Sequence, residues 1–171
     1  TAAGRYEEAS RVWLDVAGQA NDPIARDYRR FAAEALLHAG RIDQGLDLLG
    51  KVAANLGVRI PEGRWRLLWA VLTTRLRLTI ATFGHRRSRG ARSGADELAR
   101  VRTLGAVALE LSLLDPLAGT LATAGYVREA MRVGDATVLA HAIGLEACAN
   151  QAVPYWRFLG RRFVVALGRL A

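Results

Sequence analysis

The chain has 171 residues and a mass of 18.6 kDa, with 51% hydrophobic and 23% charged residues, which excludes a disordered chain and allows one ordinary domain with a sizeable core. A single cysteine excludes an internal disulfide framework and a cysteine-rich zinc site. The net charge of +8 arises from 24 basic and 16 acidic residues, and 59–102 carries all of the excess, with 11 arginines against Glu62, Asp96 and Glu97. Lys51 is the only lysine. Such an arginine bias follows from GC-rich coding, so a high pI alone argues little for nucleic-acid binding.

The first element in chain order is one copy of a repeat. Ala3-Gly4-Arg5-Tyr6-Glu7-Glu8-Ala9 recurs 36 residues later as Ala39-Gly40-Arg41-Ile42-Asp43-Gln44-Gly45, and Val16-Ala17 matches Val52-Ala53. Gly4 and Gly40 are expected in equivalent turns between helices, where positive φ is cheap only without a Cβ. The small residue at Ala9 or Gly45 lets a partner helix approach. Trp13 and Leu49, four residues further on, are expected in the core.

Asp22-Pro23 predicts an N-cap and a first-turn proline. The helix it opens places Ile24, Tyr28, Phe31 and Ala35 on one face and ends near Gly40. The next spans 42–56, with Ile42, Leu49, Val52 and Leu56 inward and Gly57 as its stop. Pro61 opens a long helix through Phe83, with Trp65, Leu68, Trp69, Leu72 and Leu76 as its packed stripe. Arg75 and Arg77 interrupt this apolar run and oppose membrane insertion.

The segment 85–94 holds Arg86, Arg87, Arg89 and Arg92 and almost nothing apolar, which predicts a mobile, exposed basic loop. A helix follows over 95–114, its second half buried on most sides. Asp115-Pro116 starts the next, in which Ala118, Gly119, Ala122 and Gly125 suit close contact, and Gly134 ends it. Asp135 caps another helix to about Asn150, and Pro154 opens the last. The expectation is an all-α fold: a tetratricopeptide-like α-solenoid of about eight antiparallel helices. The whole of 1–171 reads as one helical repeat segment of a larger protein, with 1–57 the clearest tetratricopeptide-like part and 58–171 more degenerate.

No catalytic constellation stands out. The chain has no His-Glu-x-x-His pair, no Gly-x-Ser-x-Gly elbow and no phosphate-cradling loop with lysine. His38, His85 and His141 are scattered. His141 and Cys148 share a helix face with Glu146 as the one nearby acid, but two ligands do not make a zinc site. No catalytic, cofactor-binding or metal residue is therefore assigned. Trp65 and Trp69 are expected to anchor helix packing, with a ligand-facing role as the alternative. Arg86, Arg87, Arg89 and Arg92 are the candidate contacts for an anion or partner, through charge alone. Aromatic stacking residues are missing from that loop, which disfavours nucleic acid as the partner.

The order of the stretches 33–61 (AEALLHAGRIDQGLDLLGKVAANLGVRIP), 64–77 and 111–116 (LSLLDP), with Gly119 and the Gly134-Asp135 helix start, resembles the tetratricopeptide-like region of large bacterial multidomain serine/threonine protein kinases of the myxobacterial type. These carry a kinase domain, a central AAA-type ATPase domain and a helical array. The resemblance implies a cytoplasmic protein-interaction or sensor module, bound by a protein, a peptide or neighbouring domains of its own chain. ATP and magnesium would be held only in other domains, and no kinase or ATPase residue maps onto this segment. The alternative is the helical array of a large ATP-dependent transcription regulator.

Overall fold

The computed structural model describes residues 2–84 and 94–152, and among these every regular element is a helix: α1 (Ala2–Gln19), α2 (Asp22–His38), α3 (Ile42–Asn55), α4 (Arg64–Gly84), α5 (Ala95–Leu114), α6 (Pro116–Val133) and α7 (Ala136–Ala152). The all-α expectation holds there. Seven helices are described; the eighth, expected from Pro154, lies outside the described residues. The chain divides into two compact units, Thr1–Arg59 and Ile60–Ala171.

In the first unit α2 packs against both α1 and α3. Trp13 stacks on Tyr28 with ring centroids 5.4 Å apart, and Tyr6 meets His38, so α1 and α2 run in opposite directions. Both α2 and α3 end in Schellman motifs. The Arg41 amide donates to the Leu36 carbonyl and that of Gly40 to Leu37, with Gly40 at φ 80°. Val58 and Gly57 repeat the pattern on Ala53 and Ala54, with Gly57 at φ 95°. These glycine stops are where the sequence puts them. Gly45 also lets α2 and α3 approach closely: a Cβ there would lie 2.6 Å from Leu37 Cδ2 and 3.2 Å from the Ala33 carbonyl oxygen.

Several expectations are corrected in this unit. Gly4 does not occupy a turn equivalent to that of Gly40; it lies inside α1. Leu49 is fully buried, whereas Trp13 is half-buried, lying against Tyr28 and Phe31 at the edge of the unit. The N-cap of α2 is Asn21, not Asp22, because Pro23 takes the second helical position; neither side chain caps the helix. Its inward face is Ala25, Ala32, Ala33 and Ala35, while Ile24 and Phe31 are exposed. A helix wedged between two others favours small residues at the contact. Ile42 is likewise exposed. Arg41, between α2 and α3, donates to Glu7 of α1 at 2.8 Å, and this hydrogen bond holds the Glu7 carboxyl below its ordinary range.

In the second unit α6 is the centre, touched by α4, α5 and α7. Asp115 caps it as expected, its Oδ1 accepting from the Leu117 and Ala118 amides at 3.0 and 3.1 Å. Gly134 ends it in the left-handed region, at φ 73°. Asp135 starts α7, its side chain accepting from the Val138 amide at 2.9 Å. The small residues of α6 do what the sequence suggests: a Cβ on Gly119 would collide with the backbone of Ser112, and one on Gly105 of α5 would lie 2.7 Å from the Tyr126 ring. Hydroxyls in this contact return to their own helices, the half-buried Ser112 to the Ala108 carbonyl and the buried Thr120 to that of Pro116, each at 2.7 Å. The second half of α5 buries Leu104, Val107, Ala108 and Leu111 but exposes Leu109, Leu113 and Leu114, so it is two-faced rather than enclosed.

Candidate partner-docking face on α4

Helix α4 begins at Arg64, three residues after Pro61, where Gly63 turns the chain at φ 90°. Its sequence, RWRLLWAVLTTRLRLTIATFG, is apolar on two sides and contains no acid. At about 100° per residue, Leu67, Val71 and Leu78 fall on one side, and Trp65, Leu68, Trp69, Leu72 and Leu76 on nearly the opposite one. Only one stripe can face α6. The structure buries Leu67, Val71 and Leu78. The stripe expected to pack is the exposed one: Trp65 is 77% and Trp69 64% accessible, and Leu68, Leu72 and Leu76 are also exposed. Trp65 and Trp69 are therefore not packing anchors within this unit, and the less favoured reading of them as ligand-facing fits their position better.

The exposed stripe is neither flat nor uncharged. Trp65 and Leu68, with Arg64 and with Leu117 from the start of α6, line an open groove of about 370 Å³ whose walls are mostly apolar. Helical geometry sets the arginines on the flanks, Arg64 and Arg75 on one side and Arg66 and Arg77 on the other. Arg64, Arg66 and Arg77 are exposed. Arg75 is different. It reaches Glu146 of α7 in an ion pair in which Glu146 is wholly buried. Burial lowers the Arg75 pKa to about 10, which still leaves the guanidinium charged at neutral pH. The pair ties the middle of α4 to α7.

This pair was not foreseen. A signal was present: Glu146 is the only charged residue in α7, ATVLAHAIGLEACANQA, so a fully buried carboxylate there needed a cation. Pairing it with Arg75 across 71 residues lies beyond any local pattern. His141, Glu146 and Cys148 do not converge. His141 Nδ1 lies 3.0 Å from the Tyr126 hydroxyl, Glu146 faces α4, and Cys148 is exposed. Burial raises the Tyr126 pKa. Among the described residues no three His, Cys, Asp or Glu side chains form a group that could hold a metal ion. None of their helices is long and apolar enough to cross a membrane.

Arg86, Arg87, Arg89 and Arg92, the expected anion contacts, lie outside the described residues, as does His85; Gly94, the last residue of that segment, is the N-cap of α5. No protein-family model, no curated protein and no solved structure matches the chain.

Proposed function

We propose that this chain is a protein-interaction module with a regulatory role, part of a cytoplasmic multidomain signalling protein of the kinase–ATPase–helical-array kind that its repeat punctuation resembles. The observation that carries the interaction role is the exposed Trp65-Leu68-Trp69-Leu72-Leu76 stripe. Large aromatic side chains on an accessible helix face cost solubility and contribute nothing to the core beneath them, and tryptophan and arginine are the residues most enriched where partners bind. The work of the module is binding; ATP and magnesium belong to other domains of the parent.

Two measurements test this reading. The coding sequence upstream should encode a kinase His-Arg-Asp catalytic loop and then an ATPase domain; a helix-turn-helix in their place would favour a transcription regulator instead. In the full-length protein, replacing Trp65 and Trp69 with serine should alter phosphorylation output in cells. Output that stays the same under every growth condition would overturn the regulatory role.

A further inference from the structure

We infer that the α4 face docks an acidic amphipathic helix of a protein partner, which lays its apolar side along Trp65, Leu68, Trp69, Leu72 and Leu76 and sets carboxylates against Arg64, Arg66 and Arg77. This rests on the interaction reading above and adds the chemistry of the partner.

Shape is the first argument. From Trp65 to Leu76 the stripe runs about 16 Å, roughly three helical turns, the length over which a helix presents its i, i+3, i+4 and i+7 anchors. The groove between Trp65, Leu68, Arg64 and Leu117 lies at one end of the stripe and is concave. A concave apolar pocket takes an inserted side chain, and a flat lipid surface would leave it unfilled.

Charge is the second. The segment Arg64–Gly84 has four arginines and no acid, and only Arg75 is drawn inward, to Glu146. The three exposed arginines flank the apolar stripe on both sides, the arrangement that carboxylates on both edges of a partner helix would complement. The same argument disfavours two nearer occupants. Residues 153–171 of this chain contain Arg157, Arg161, Arg162 and Arg169 and no acid, so docking them here would bring like charges together. A second copy that met this one α4 against α4 would do the same.

The test uses the full 171-residue chain and three labelled peptides of about 18 residues that share a Leu/Ile face and differ only in flanking Glu, Gln or Lys. Fluorescence anisotropy should show the Glu peptide binding about tenfold tighter than the Gln peptide, with the Lys peptide weakest. Trp69→Gln combined with Leu72→Gln should weaken the Glu peptide by at least about tenfold. Arg66→Gln with Arg77→Gln should erase most of the Glu-over-Gln preference, and raising salt to about 0.5 M should shrink the preference in the unmodified chain. Equal binding of all three peptides would overturn the inference. So would cosedimentation with phosphatidylserine vesicles in the absence of Glu-peptide binding, self-association abolished by Trp69→Gln, or peptide binding that emerges only after 153–171 is deleted. Loss of the acidic preference with phosphorylation output still dependent on Trp65 and Trp69 would remove this partner chemistry alone. Output independent of both tryptophans would remove the interaction role itself.

Discussion

Helices α2 and α6 hold the same position in their units, each the element the others pack on, yet they solve it differently. α2 has two neighbours and buries four residues, all alanine. α6 has three neighbours and buries thirteen of its eighteen residues, including Gly119, Gly125, Tyr126 and Met131. The lesson concerns what a helix must contain. With two neighbours, a narrow small-residue face suffices and large side chains such as Ile24 and Phe31 stay outside. With three, almost the whole circumference must be small or apolar, and polar groups enter only with partners inside the fold. Charge divides the same way: Thr1–Arg59 has eight basic and eight acidic residues, so the entire +8 belongs to Ile60–Ala171.

The strongest test of this contrast is the buried Arg75–Glu146 pair, which joins two of the helices that pack on α6. Glu146→Ala leaves Arg75 short of its buried counter-charge and should destabilise the chain by about 3–5 kcal/mol in urea unfolding. The double change Arg75→Met, Glu146→Leu should recover most of that loss, because two apolar side chains carry no charge to bury. Surface pairs in the first unit behave differently. Removing Asp47, which pairs with Lys51 at 2.6 Å on the surface, should cost well under ~1 kcal/mol.

Close packing is the next contrast. Gly119→Ala pushes a methyl into the Ser112 backbone, which can yield only if α5 and α6 part, and should cost about 1–3 kcal/mol. Gly45→Ala meets Leu37 Cδ2 and Cγ, a side chain that can turn away, and the Ala33 carbonyl oxygen only at 3.2 Å, and should cost less than Gly119→Ala, about 1 kcal/mol. Thermal melts of the two variants check the order. Equal losses would mean that the α2–α3 contact is as rigid as that of α5 and α6.

Glycines without neighbours should show the opposite sign. A Cβ on Gly50 of α3 or Gly144 of α7 meets nothing within 4 Å. Replacing either with alanine removes backbone freedom from the unfolded chain and should stabilise by about 0.5–1 kcal/mol. Denaturant midpoints that fall for either variant would show that its helix is held by something other than ordinary α-helical geometry.

How much of this was legible in the sequence follows from the same physics. Helix ends were readable wherever a local device makes them: Gly40, Gly57 and Gly134 at positive φ, and Asp115 and Asp135 as caps. Close approach was readable at Gly45 and Gly119 because a missing Cβ has few other uses. Facing was much less readable. In α2 the 3-4 spacing of Ile24, Tyr28, Phe31 and Ala35 marks an inward face, but the contact takes Ala35 with Ala25, Ala32 and Ala33 instead. In α4 two apolar stripes compete with nearly equal claims, and only the placement of α6 and the Arg75–Glu146 tie decide between them. Periodicity reports that a stripe exists; it does not report which neighbour is present to cover it. The candidate docking face was hidden for that reason, its tryptophans being spaced as core residues are.

The smallest expected effect is also the sharpest test of that facing. Trp69→Ser and Leu72→Ser change two of the larger apolar side chains of α4, which a core reading would value at several kcal/mol each. Both are exposed, so folding removes little of their surface from water, and neither change opens a cavity. Their stability effects should stay within about 0.5 kcal/mol, and at Leu72 serine's lower helix propensity should supply most of that. Leu67→Ala, two residues from Trp69 but turned toward α6, should cost about 2–5 kcal/mol. Urea unfolding of the three variants compares two faces of one helix in one protein, so differences in the unfolded state largely cancel. A loss of several kcal/mol at Trp69 would show that the stripe is covered in the folded chain, and the α4 face could not then be free to receive a partner. A silent Trp69 beside a costly Leu67 would leave an aromatic, arginine-flanked helix face that folding does not need.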